Sequence, residues 1–216
     1  PHPLFSDVRV RMAVALGMNT QDMIDAMGPD GGTATTGPVS LHSGWALNPD
    51  LQPYPYDPEA AMALLEEAGW VDEDGDGVRE KDGMPLAFEI CYSNILQMFE
   101  TESLIAQDQL NQIGFDVTLN HMEWANYLEV CLLGQQFDAT PMTSTDAAGA
   151  EPDTYMATQL SHEDVPGSGS NWTSYINPEI DALIEQARSV PGCAVEERAE
   201  IYYEIQQIAY DDVSYV

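Results

Sequence analysis

Apolar residues recur three and four positions apart in several stretches of this chain, and alternate with polar ones in another. Asp7 to Leu16 predicts a helix, with Val8, Val10, Met12, Ala13 and Leu16 apolar and Arg9 and Arg11 between them. Asn19 or Thr20 can cap a second, short helix reaching about Met27. Asp57-Pro58-Glu59 combines a capping carboxylate, a first-turn proline and an acid favoured by the helix dipole. A helix is expected to follow through Ala61, Leu64, Leu65 and Ala68 and to stop at Gly69. Asn177-Pro178-Glu179 repeats that start ahead of Ile180, Leu183, Ile184 and Ala187. A last helix, from about Val195 to Ala209, sets Ile201, Tyr202, Ile205 and Ile208 on one face. Between Gly28 and Tyr56 lies a long loop rich in Gly, Pro, Ser and Thr, expected to be anchored by burial of Trp45, Tyr54 and Tyr56.

The middle of the chain decides the fold class. Leu86 to Tyr92 predicts a strand, and Ile95 to Ile113 a long helix with Phe99, Ile105, Ala106, Leu110 and Ile113 facing inward. Phe115 to Asn120 alternates cleanly, as a strand with one buried face does. A helix from Trp124 to about Leu133 and a third strand, Phe137 to Met142, complete the series. Pro141 in that third strand places it at an edge or ends it early. Strand, helix, strand, helix, strand implies right-handed crossovers, a mostly parallel sheet and an α/β fold. Open sheets of this kind bind ligands beyond the carboxyl ends of their strands. Those ends are Tyr92-Ser93-Asn94, Asn120 to Trp124, and Thr143 to Asp146.

The charge balance narrows the partners. The 216 residues hold 37 acidic side chains against 6 basic ones, a formal net charge of −31. Such a chain repels phosphate backbones and anionic lipid, so neither nucleic acid nor a membrane surface is an expected partner. No apolar run approaches the roughly 18 residues that span a bilayer. The acidity fits a protein working in high salt, where screening relieves self-repulsion, and equally an acidic surface with no special habitat. Neither end carries a signal-peptide pattern, and both are expected to be cut rather than native. Three cysteines, Cys91, Cys131 and Cys193, allow at most one internal disulfide without selecting the pair, and Cys91 in an apolar strand pattern reads as an isolated buried thiol.

Candidate chemistry is sparse. Asp72, Asp74 and Asp76 with Gly77 match the first half of a calcium loop, but Gly83 stands where its bidentate glutamate belongs, so a tight acidic turn is the favoured reading. His121 beside Glu123 at a strand end suggests a proton-transfer pair or, more simply, a surface histidine. An acidic pair, Asp146 with Glu151, would serve a hydrolase, though it rests on the abundance of acids rather than on spacing. No nucleophile elbow, phosphate loop or Cys-x-x-Cys occurs, so nothing demands catalysis and no cofactor is implied. Asp146 stands out by its place at the ligand edge, where a carboxylate can pair with a ligand ammonium group.

Several stretches, taken in order, carry a resemblance. They are Leu4 to Arg11, Tyr56-Asp57-Pro58-Glu59 leading to Glu67-Ala68-Gly69-Trp70, Asp74-Gly75-Asp76-Gly77, and Leu110 to Gly114. Glu123-Trp124, Tyr175 to Asp181 and Glu197-Arg198 follow. Together they resemble the family 5 solute-binding proteins of bacterial dipeptide and oligopeptide ABC transporters, over nearly the whole chain. Members are more than twice this long, with two α/β lobes closing on the ligand. The resemblance therefore implies that residues 1–216 form a single ligand-binding lobe, the second, of a periplasmic-binding-protein-like fold. It also implies an exported, periplasmic or lipoprotein location, a peptide or related small solute, and ABC permease subunits as partners. An aspartate of this lobe holds the peptide ammonium group in relatives; Asp146 resembles it, and Trp124 resembles a pocket aromatic. Trp45, Tyr92 and Asn94 are added as possible ligand contacts. The pattern departs from oligopeptide binders at Cys131, Pro141 and Ser144, where basic residues and a tryptophan are frequent, which leaves sugar, opine or metal-chelate ligands open.

Overall fold

The computed structural model describes residues 3–29, 31–37, 41–143, 151–162 and 171–215. Two compact units divide the chain: Pro1–Ala34 with Tyr54–Thr143, and Thr35–Pro53 with Ser144–Val216. The long Gly28–Tyr56 loop thus supplies a segment of the second unit.

Capping side chains set the helix starts of the first unit. Asp7 accepts from the Arg9 amide ahead of α1 (Val8–Gly17), and Asn19 accepts from Gln21 ahead of α2 (Thr20–Ala26). Asp57 accepts from Ala60 at the head of α3 (Pro58–Glu67). The chain leaves α3 through Gly69, whose φ of +91° only glycine adopts without strain. A small hairpin, β1 (Glu80–Lys81) and β2 (Met84–Pro85), leads into the core strand β3 (Ala87–Ser93). Helix α4 (Gln97–Gln112) crosses over to β4 (Asp116–Met122), which pairs in parallel with β3 from Ala87↔Asp116 to Ser93↔Met122. Phe88 on β3 meets Phe5 and Phe115 edge to face, with ring centroids 5.2 and 5.7 Å away. Val10, Leu65, Leu110 and Ile113 close the same core.

The expected third strand does not form: a single parallel bridge joins Ala139 to Ile90. Ala139 exchanges two backbone hydrogen bonds with the β3 strand, at Glu89 and Cys91. The Glu89 amide is taken by the Asp138 carboxylate, and Pro141 has no N–H to extend the ladder. Cys91 is not an isolated thiol either. It is disulfide-bonded to Cys131, while Cys193 is free and exposed. Tyr56, expected to be an anchor, is 44% exposed.

The second unit is helical: α6 (Pro152–Leu160), α7 (Pro178–Ser189) and α8 (Val195–Asp211) enclose Met156, Leu160, Ile180, Ile184, Tyr202 and Ile205. Gln206, buried on α8, donates to the Ala46 carbonyl and accepts from the Asn48 amide, fixing the 41–53 segment to the bundle. Buried Asn171 donates to the carbonyls of Ser161 and Tyr175 and ties the approach to α7.

Candidate functional site

Strands β3 and β4 end side by side, because their parallel register sets Tyr92 opposite His121 and Ser93 opposite Met122. Asn94 leaves β3 exposed, and Glu123 leads from β4 into the short helix α5 (Trp124–Asn126). The structure therefore brings Tyr92, Asn94 and Trp124 to one edge of the parallel pair. This is the carboxyl edge, where open α/β sheets hold ligands.

The Tyr92 ring lies 5.3 Å from that of His121, tilted by 35°, so His121 stacks there and makes no hydrogen bond to Glu123. Although Tyr92 is only 7% exposed, its hydroxyl has no hydrogen-bond partner among the described residues. Burial, helped by the Glu100 carboxylate, pushes its pKa up, so it is a neutral donor and acceptor at physiological pH. Trp124 is 39% exposed and stacks by one face on Tyr127, with centroids 5.7 Å apart at 29°.

Tyr127 holds this arrangement. It is buried, donates to the Pro141 carbonyl at 3.0 Å and bonds the Thr140 hydroxyl at 2.7 Å. Burial raises its pKa and the Thr140 bond opposes that rise. The backbone from Tyr127 to Leu133 is a π-helix rather than the expected α-helix, with Gly134 donating five residues back to Glu129. Such turns cluster at functional sites. The disulfide joins this turn at Cys131 to β3 at Cys91, the residue before Tyr92. The sequence signal for Tyr127 is its spacing of three from Trp124, which puts two aromatics on one helix face.

The remaining candidates lie elsewhere. Trp45 belongs to the second unit, where its ring meets Tyr202 edge to face at 5.8 Å and the Arg198 guanidinium at 5.5 Å. Asp146 falls outside the described residues. Glu151, considered as its acidic partner, forms an ion pair with Arg198. Asp72, Asp74 and Asp76 are exposed, with carboxylate oxygens within 4.8 Å of one another. All three cap their own turn: Asp72 accepts from Gly75 and Gly77, Asp74 from Asp76, and Asp76 from Val78. This is the geometry of an acidic turn.

Comparison with known proteins identifies the scaffold. A profile of the bacterial extracellular solute-binding proteins, family 5, matches residues 1–167. The oligopeptide-binding protein AppA of Bacillus subtilis is 27% identical over 188 residues, covering 87% of this chain and 34% of AppA. The dipeptide-binding protein of Escherichia coli is 28% identical over 206 residues, covering 95% of this chain and 36% of its own length. Heme-binding protein A of Haemophilus influenzae is 28% identical over 212 residues, 98% of this chain and 36% of that protein. The solved structure of Bacillus subtilis AppA with a nonapeptide superposes with a TM-score of 0.87 at 26% identity, over 98% of this chain and 41% of AppA. The chain thus spans about a third of the length of the curated relatives it matches. Its fold is an α/β, periplasmic-binding-protein-like one, and the chain belongs to the bacterial extracellular solute-binding proteins, family 5.

Proposed function

We propose that this chain is the ligand-facing part of the extracytoplasmic solute-binding component of an ABC transporter, and that its solute is a peptide. The observation that carries the reading is the carboxyl edge of β3 and β4, in a chain of the solute-binding family. A part-exposed indole stacked on Tyr127 stands there with the Tyr92 hydroxyl, which has no hydrogen-bond partner among the described residues, and the disulfide anchors the residue before Tyr92. Trp124 supplies apolar contact, and Tyr92 and Asn94 hydrogen-bond the peptide main chain. Asp146 neutralises the ligand ammonium group in a desolvated cleft. Ligand closes a hinge between two lobes, and the permease recognises the closed form. No bond is made or broken by the chain. The names of the oligopeptide- and dipeptide-binding relatives favour peptide over other solutes. The disulfide supports an oxidising compartment outside the cytoplasm.

Two measurements on the intact natural protein test this. Its mass is expected to exceed twice the 23.7 kDa of this chain, as a two-lobe binder requires. Tryptophan fluorescence is expected to titrate saturably with short peptides. A natural mass near that of this chain removes the hinge, and no response to any peptide removes the peptide reading.

A further inference from the structure

We infer that the carboxyl edge of β3 and β4 selects peptides with a large apolar side chain, received on the surface that Trp124 and Met142 form about the buried ring of Tyr127. This rests on the reading of that edge as ligand-facing. All of the residues involved belong to the first unit.

Three lines of chain reach this edge in register. Ile90 on β3 pairs with Leu119 on β4 and forms the parallel bridge to Ala139. Three residues further along each line stand Ser93, Met122 and Met142. Met122 is half-buried, with its sulfur 3.8 Å from that of Cys131, and Met142 is 40% exposed. Two and three residues past Ser93 come Ile95 and Leu96, and two past Met122 comes Trp124, all three exposed.

Tyr127 joins two of these groups and is their positioning residue. Its ring stacks on the Trp124 indole, and the Met142 sulfur lies 3.7 Å from its hydroxyl. The same hydroxyl engages the Thr140 hydroxyl and the Pro141 carbonyl, so polar groups of this segment are satisfied inward. Single exposed apolar side chains are ordinary on a protein surface. Two gathered by one buried ring, at the edge where such sheets hold ligands, mark a contact surface. A leucine side chain that covers the indole and the thioether takes its own apolar area out of water together with theirs, and a flexible thioether adapts to its outline. A polar side chain of the same size loses water there and gains no partner from Thr140 or Pro141, which Tyr127 already engages.

The test is calorimetric titration of the intact natural protein with Ala-Leu-Ala, Ala-Ala-Ala and Ala-Asn-Ala, asparagine being close to leucine in size. The leucine peptide is expected to bind about tenfold tighter than the alanine peptide, and the asparagine peptide no tighter than the alanine one. Trp124→Ala and Met142→Ala are each expected to reduce the leucine-to-alanine ratio by about threefold or more. Tyr127→Phe keeps the stacked ring without the hydroxyl and is expected to reduce the same ratio, whereas a merely structural role would weaken all three peptides alike. Met84→Ala, at a 60% exposed methionine of the hairpin before the opposite end of β3, leaves the ratio unchanged. Equal affinities for the leucine and asparagine peptides overturn the selectivity and leave the peptide reading standing. A parental ratio in Trp124→Ala or in Met142→Ala, with folding verified by circular dichroism, also overturns it, because another part of the natural protein then covers this surface. A loss of equal size in Met84→Ala does the same, and a parental ratio in Tyr127→Phe removes the positioning role of its hydroxyl. Binding of none of the three peptides by the folded parent overturns both readings.

Discussion

Removing the Cys91–Cys131 bond isolates one structural contribution whose size follows from the chain itself. The bond closes a loop of 40 residues that contains α4, β4 and α5. In the chain-entropy treatment, a loop of that length restricts the unfolded ensemble by about 4 kcal/mol at 25 °C. That is roughly a thousandfold in the opening equilibrium of the first unit. Both sulfurs are buried, so Cys91→Ala with Cys131→Ala adds a small cavity cost of the same sign. The assay is amide hydrogen exchange of β4, read by mass spectrometry where exchange follows the open population. Amides of Val117 to His121 are expected to exchange several hundredfold faster in the double variant, those of α7 in the second unit at the parental rate. Acceleration of β4 below about tenfold, or equal acceleration in α7, would refute the entropic argument. Alkylation of the denatured, unreduced parent should mark Cys193 alone.

Three further outcomes are expected. Asp7→Ala removes the α1 cap and the Arg9 chelate and should cost about 1 kcal/mol in urea unfolding. The Arg9 guanidinium holds the Asp7 carboxyl below its ordinary 3.8, so this contribution is full above that pH, and the gap between parent and variant closes as pH falls through the lowered folded value. Burial raises the Glu102 carboxyl on α4 above its ordinary 4.5, so its charge opposes folding. Glu102→Gln should stabilise the protein at pH 7, and the gain should vanish once the pH drops below 4.5, where the carboxyl is protonated in both states. Asp146→Asn in the intact protein should weaken free peptides at least about tenfold while sparing N-acetylated ones; equal losses for both would remove the amine role.

The allocation of basic residues gives the acidic composition a structural meaning. Lys81, Arg9 and Arg79 satisfy carbonyls at or just beyond the ends of α3 and α4, where the helix dipole favours positive charge. With the cations spent on the scaffold, the surface is left to carboxylates. Unfolding is therefore expected to be opposed by added salt, which screens their mutual repulsion.

Local rules settled much of this protein before any tertiary contact was considered. Asp7, Asn19, Asp57 and Asn177 each mark a helix start, because a short polar side chain satisfies amides two or three residues ahead. The alternation around β4 and the long amphipathic helix before it fixed the parallel pair, and with it the edge that carries Tyr92, Asn94 and Trp124. What distant residues supply was not legible. The cysteine pair was open because three cysteines give three pairings, and only the return of β4 beside β3 brings Cys131 to Cys91. The third strand failed because the Asp138 side chain takes a ladder amide and Pro141 lacks one, a competition no hydrophobic pattern records. That the Trp45 ring meets Tyr202 and Arg198, far along the chain, was likewise not legible in the sequence. Capping and periodicity act within a few residues and are written in the sequence; disulfide pairing, the fate of an aromatic and the placement of each cation depend on what folding brings within a few ångströms.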